Sequence, residues 1–355
     1  MSAYPHPPHW VSENLLSGLV IPAHPLALTS ERKLDEKYQH ALTRYYHAAG
    51  AGGVAVGVHT TQFEIRQHDL YIPVLHQVIH TIQNCDRATG RKTVCIAGIC
   101  GSTPAALVEA RFAQKTGYHA GLLSLGALRE ASEEELIEHC QAVAQEIPLF
   151  GFYLQPAAGG RVLPLSFWRK FAEIPNVVAI KIAPFNRYQT LDVLRAVAEA
   201  GRSHEIALYT GNDDHIVLDL LTKIVIPILD RNIELYIVGG LLGQWAVWTQ
   251  RAVIILEEIK KYRSQELIPA KLLTLAAQMT DANAAIFDAR NSYAGCIPGI
   301  HFILRRQGLM DFTGTLNPDE RLSPGQAEEI DRILRIYPSL TDDEFIQQNI
   351  DTWFY

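Results

Sequence analysis

Long apolar runs are missing from the 355 residues. No uninterrupted stretch approaches the roughly 18 positions that read as a membrane-spanning helix. Met1 to Pro8 are rich in proline and histidine and lack an apolar signal core. Cysteine is scarce: Cys85, Cys95, Cys100, Cys140 and Cys296 form no CxxC pair and sit mostly in apolar segments. An odd number without paired spacing speaks against a disulfide framework and fits the reduced thiols of a cytoplasmic protein. Positive charge is in deficit, with 31 Lys and Arg against 38 Asp and Glu and a sequence pI near 6.1. No broad basic surface for nucleic acid or anionic lipid is therefore expected. No internal repeat, low-complexity tract or Gly/Ser-rich linker divides the chain.

What is present is apolar: 48% of residues belong to the hydrophobic set, enough for one large α/β domain or two smaller ones. The most informative stretch is Val177-Val178-Ala179-Ile180-Lys181-Ile182-Ala183. Its β-branched and small residues read as a strand buried on both faces. Alternation puts Val177, Ala179 and Lys181 on one face and Val178, Ile180 and Ile182 on the other. An ammonium buried unpaired costs several kcal/mol, roughly. A lysine held there loses basicity through desolvation and can attack a carbonyl to form a Schiff base. The competing reading is a lysine that snorkels to solvent or pairs with a carboxylate.

In chain order, strands are predicted near Ile21, over Val54–Val58, Thr93–Ile99, His119–Leu125, Leu149–Leu154, Val177–Ala183 and Ile206–Thr210, and last over Leu235–Val238. Helical spacing follows each, with Pro104 opening one helix and a Ser132/Glu135 capping box opening another. Eight short strands, each with its helix, predict an α/β fold of the (β/α)8 TIM-barrel type. An open doubly wound sheet is the alternative, but no GxGxxG follows the first strand. Residues 1–244 are assigned to the barrel with a short arm, and 245–355 to a helical C-terminal extension packed on it.

Barrel enzymes carry their chemistry at the C-terminal ends of the strands. Thr60 and Thr61, after Gly57, offer two hydroxyls and turn amides that suit a carboxylate, or form an ordinary turn. Tyr153, on the same alternation as Gly151, is a proton-relay candidate beside a Schiff-base lysine, with core packing as the alternative. Gly211 opens Gly211-Asn212-Asp213-Asp214, whose acids also suit a helix cap. Gly239, Gly240 and Gly243 read as a phosphate cup, as clearance for a substrate, or as a turn. His76 and His80, four apart on one helix, lack the glutamate of an HExxH motif and a third ligand. Arg305 and Arg306 read as surface charge.

Five of these elements, in order and spacing, resemble the dihydrodipicolinate synthase/N-acetylneuraminate lyase family of class I aldolases, from about Leu16 to Gly308. They are His59-Thr60-Thr61-Gln62-Phe63-Glu64 for a GTTGE-type turn, Ala97 to Ser102 for an AGxGS-like strand end, Tyr153-Leu154-Gln155-Pro156 for YNxP, Lys181, and Gly211 to Asp214. The resemblance implies a Schiff base between Lys181 and a 2-keto acid, Tyr153 shuttling the proton, and Thr60 and Thr61 holding the carboxylate. It implies no metal and no organic cofactor, and a homo-oligomer, dimer or tetramer. The sequence departs from the family at Leu125-Gly126-Ala127-Leu128-Arg129, where a tyrosine pair is usual. It departs again at Ala157-Ala158-Gly159-Gly160, which delays Arg161, and at Gln62-Phe63. The glycine insert and the long helical tail point to a different acceptor side of the pocket.

The expected activity is thus a Schiff-base lyase, aldolase or dehydratase, acting on a pyruvate-type, sugar-derived or aromatic 2-keto acid. A synthase-like condensation of pyruvate with an aldehyde is the nearest alternative. Two other classes remain open: a metal-dependent barrel enzyme using His59, His76 or His80, and a non-catalytic keto-acid-binding barrel.

Overall fold

The structure, a computed structural model, describes residues 4–355. Along the chain run α1 (His9–Ser17), β1 (Val20–Pro22), α2 (Glu36–Ala48), β2 (Gly53–Val56), α3 (Tyr71–Thr89) and β3 (Val94–Ile99). There follow α4 (Thr103–Thr116), β4 (Ala120–Leu123), α5 (Glu133–Ala144), β5 (Leu149–Leu154), α6 (Leu165–Ala172) and β6 (Val177–Ala183). Next come α7 (Arg187–Glu199), β7 (Ala207–Thr210), α8 (Ile216–Leu221), β8 (Ile224–Ile228), β9 (Arg231–Leu235) and β10 (Gly239–Leu242). Helices α9 (Thr249–Tyr262), α10 (Lys271–Ile286), α11 (Cys296–Arg306), α12 (Gln326–Ile336) and α13 (Asp343–Trp353) complete the chain.

These elements form two compact units, which cut across a division at residue 244. The first comprises the chain up to Leu19, Val94–Leu241 and Ile259–Ile268; the second comprises Val20–Thr93, Leu242–Glu258 and Pro269–Tyr355.

In the first unit, β3, β4, β5, β6, β7 and β10 lie side by side as parallel strands. Their connecting helices begin where the local chemistry predicts. Ser132 accepts from Glu135 N (3.2 Å) while Glu135 accepts from Ser132 N (2.7 Å), the reciprocal cap of α5. Helix α4 starts at Thr103 with Pro104 in its first turn, and left-handed Gly117 ends it. All seven residues of β6 are buried, as the absence of polar alternation predicts.

The last predicted strand is displaced. Leu235 ends β9, which pairs antiparallel with β8 as a hairpin turning at Leu229-Asp230. In β8, half-buried Ile224, Ile226 and Ile228 alternate with exposed Val225 and Pro227. The parallel strand is Gly239–Leu242, whose glycines mask any β-propensity. Gly239 is small of necessity: a Cβ there would lie 2.5 Å from Leu19 O and 2.8 Å from the Tyr209 ring.

In the second unit, β1 and β2 are linked through the parallel Ala23–Ala55 bridge. Helix α2 packs on α3 and α13. The Tyr45 hydroxyl donates to Asp342 (2.7 Å), which also accepts from Gln250 N (3.0 Å). Helices α10, α11 and α12 are stapled by Gln326, whose amide donates to the carbonyls of Ala285, Ile286 and Gly295.

Candidate active site

Lys181 sits in the regular part of β6, paired with Phe152 on one side and Tyr209 on the other. It is 7% exposed, and its Nζ lies 4.5 Å from the centroid of the Phe152 ring. A cation at that distance is attracted by the ring face. Space for the lysine stem comes from Gly211. A Cβ at that position would lie 2.7 Å from Lys181 Cε and 2.7 Å from Ala183 Cβ. Gly211 is held at that position by its N–H, which donates to Ile182 O (2.7 Å).

The same pairing corrects the expectation for Tyr153. Because Phe152 is the partner of Lys181, alternation turns Tyr153 to the opposite face. Its ring packs on Trp168 of α6 at 5.3 Å, and its hydroxyl accepts from Leu163 N (3.2 Å). Gly151 shares that face, where a Cβ would meet the Phe171 ring at 2.7 Å. Burial holds the Tyr153 phenol above its ordinary range. A Tyr-x-x-Pro spacing in sequence does not say which face of a strand the tyrosine takes; Phe152, one residue earlier, takes the face of the lysine. Ser124 is a second residue on that face that no sequence pattern marks. Its N–H continues the ladder to Ile99 O (2.8 Å), and alternation from the Leu123–Gly151 pair puts it on the face of Phe152. It is 6% exposed.

Gly239 and Gly240 are also placed differently from the expectation. They begin β10 rather than follow the last strand, and Gly240 N donates to Leu19 O (3.1 Å). The start of a parallel strand is the end remote from barrel chemistry. The smallness of Gly239 serves its close approach to the Leu19 backbone. Arg161 is engaged too: Nη1 donates to Leu128 O and Nη2 to Ala131 O, bracing the 125–131 loop.

Thr60 and Thr61 form a 3-10 turn in the second unit. Thr60 donates to Ala23 O (2.8 Å) and Thr61 to His24 O (2.7 Å), while Thr61 Oγ1 accepts from Gly57 N (3.0 Å). Both hydroxyl protons are therefore committed to the chain after β1. Next to them Gln62 adopts φ 66°, a conformation that L residues adopt at some cost. Its Oε1 accepts from Leu316 N (2.6 Å), which ties the turn to the segment between α11 and α12. Burial, with Glu64 adding repulsion, pushes Glu320 in that segment up to about 7. Gly243 belongs here as well: a Cβ would touch the Phe287 ring at 3.3 Å and the Thr60 methyl at 3.5 Å.

His76 and His80 are exposed on α3 with their Nε2 atoms 3.0 Å apart. Among the described residues no three His, Cys, Asp or Glu side chains are grouped to hold a metal ion. All five cysteines are free thiols, and no described helix is long and apolar enough to cross a membrane.

A family model described as the dihydrodipicolinate synthetase family matches residues 16–223, more than half of the chain. The chain belongs to that family. A 4-hydroxy-tetrahydrodipicolinate synthase from Symbiobacterium thermophilum is 22% identical over 271 residues, covering 73% of this chain and 86% of the relative. The chain spans less of other curated synthases, 44% of one from Sulfurihydrogenibium and 47% of one from Cyanothece. Among solved structures, a prophage protein of the dihydrodipicolinic acid synthase family from E. coli K12, in complex with pyruvate, aligns with a TM-score of 0.72. Identity to it is 17%, and the alignment covers 91% of this chain and 99% of that one. At that identity the likeness concerns the fold. The fold of this family member is accordingly the parallel (β/α)8 barrel with a helical C-terminal region.

Proposed function

We propose that this family member is a Schiff-base lyase, aldolase or dehydratase, acting on a pyruvate-type or sugar-derived 2-keto acid through Lys181. The observation that carries the reading is a lysine buried in a parallel strand, with a glycine cleared for its stem and an aromatic face beneath its nitrogen. The lysine nitrogen, once neutral, adds to the keto carbon. One proton passes from the nitrogen to the oxygen and a second comes from solvent, so that the oxygen leaves as water and a protonated imine remains. That imine accepts the electron pair as a bond at C3 breaks, or conjugates with it as one forms. Charge is neutralised more in the transition state than in the bound substrate. The pyruvate complex of the E. coli relative supports a pyruvate-type substrate.

By the family resemblance, Thr60 and Thr61 take the keto-acid carboxylate. Both hydroxyls already donate to carbonyls, and the Thr61 N–H donates to Val58 O (3.0 Å) and the Gln62 N–H to His59 O (2.9 Å), so this assignment rests on the resemblance. Tyr153 is assigned to packing rather than to proton relay, since its hydroxyl receives Leu163 N on the face away from Lys181. The names of the curated relatives favour a second reading, condensation of pyruvate with an aldehyde as in a 4-hydroxy-tetrahydrodipicolinate synthase. Under that reading Arg161, already occupied by two carbonyls, is not the group that receives an acceptor carboxylate. A dimer or tetramer is proposed on the same resemblance, to be read by sedimentation.

Borohydride reduction in the presence of pyruvate, followed by intact mass and peptide mapping, tests the reading. An adduct on Lys181 supports it. No adduct with pyruvate or with any larger 2-keto acid sinks it.

A further inference from the structure

Below the turn that carries Gly211 lies a carboxylate that the chemistry just described does not use. Asp219, in α8, is 5% exposed and receives three donors. Thr210 donates to its Oδ2 at 2.6 Å and Asn212 Nδ2 donates to the same oxygen at 3.0 Å. Arg187 donates to Oδ1 at 2.6 Å from the start of α7. A buried carboxylate so satisfied is stable, and charge-assisted bonds of this kind resist distortion.

The bonds continue toward Lys181. Asn212, 1% exposed, receives Phe185 N on its Oδ1 (3.0 Å), and its own N–H donates to Thr210 Oγ1 (3.1 Å). Phe185 lies two residues beyond β6 with φ 50°. Asp219 thereby ties the exit of the lysine strand to the exit of β7. Between those two exits stands Gly211, where even a Cβ would lie 2.7 Å from Lys181 Cε. A shift of the turn inward would push on Cε, and a shift outward would release it.

We propose that Asp219 is a positioning residue for Lys181: acting through Thr210 and Asn212, it sets the turn against which the lysine side chain is aimed. This rests on the Schiff-base reading and adds to it a group that touches neither substrate nor reacting atoms. Attack on a keto carbon is sensitive to the position of the nitrogen, and a 1 Å displacement can cost about 100-fold in rate.

Two variants of Thr210 separate aim from fold. Thr210→Ser keeps the hydroxyl that Asp219 receives; Thr210→Val keeps the shape and removes it. Asp219→Asn is the direct variant, and circular dichroism reports whether each protein folds. The readouts are the rate of borohydride-trapped imine at Lys181 with pyruvate, and the rate at which an acylating reagent labels Lys181 with no keto acid present. Both are mapped by peptide mass.

The expected result is trapping slowed about 10- to 100-fold in Thr210→Val and in any folded Asp219→Asn, with Thr210→Ser within a few-fold of the parent. Lys181 labelling should change in the same order. Unchanged trapping and labelling in Thr210→Val would overturn the proposal and leave the Schiff-base reading intact. If the parent forms no imine with any keto acid but labelling still follows the Thr210 series, the positioning stands and the Schiff-base reading falls.

Discussion

Two regions carry the residues assigned to chemistry, and they are held in contrasting ways. Lys181 is held by repetition: parallel neighbours on both sides set its height and its face, and one glycine clears its stem. The Thr60–Glu64 turn is held by individual side-chain bonds, two hydroxyls onto the chain after β1 and one glutamine onto Leu316. A strand residue inherits its direction from the pleat, so few changes can redirect it. A turn held by single bonds can be loosened one bond at a time.

The largest effect should come from Lys181→Ala, which removes the proposed nucleophile while a small residue replaces it in an intact ladder. Turnover and the borohydride adduct should both vanish, with the circular dichroism spectrum unchanged. Residual turnover at the parental rate would refute the mechanism.

Gly211→Ala comes next, because the new methyl meets both Cε of Lys181 and the rigid Cβ of Ala183. Overpacking of this kind costs roughly 1–3 kcal/mol in stability. The trapping rate should fall with it, and a chemical melt measured beside the trapping assay shows both.

Tyr153→Phe sharpens the contrast between the two faces of β5. It orphans Leu163 N, a loss of roughly 1–3 kcal/mol for a buried donor, while imine formation per folded molecule should be unaltered. A variant that melts normally but fails to process its imine would return Tyr153 to the proton relay.

The smallest effect concerns the segment tied to the turn. Glu320 is raised to about 7, so the folded chain holds a proton there that the unfolded chain has already released above about 4.5. Its contribution is complete below about pH 4.5 and is lost as pH rises through 7. Glu320→Gln should flatten the fall in stability across that window and raise the neutral-pH Tm by roughly 2–4 °C. Thermal melts at several pH values decide it; an unchanged slope would place the titration elsewhere.

Legibility in sequence followed the same contrast. Strands β5 and β6 begin and end where their apolar runs do, and the face of Lys181 followed from counting by two. Strand β10 escaped because glycine carries no pattern, and a β-rich hairpin nearby supplied a false one. The face of Tyr153 escaped because a motif spacing is blind to register. Asp219 escaped because its partners Arg187, Thr210 and Asn212 come together only once α7, β7 and α8 are packed.

The sequence by itself determined the alternation of strand and helix, the lysine buried in the sixth strand, and the resemblance of its turns to one family. These depend on residues within a few positions of each other, where periodicity and capping act. Tertiary structure alone decided that Phe152 rather than Tyr153 lies beside Lys181, that Gly239 accommodates Leu19, and that Leu316 anchors Gln62. Each of those depends on the register between strands or on segments hundreds of residues apart, and neither is encoded in any local run of residues.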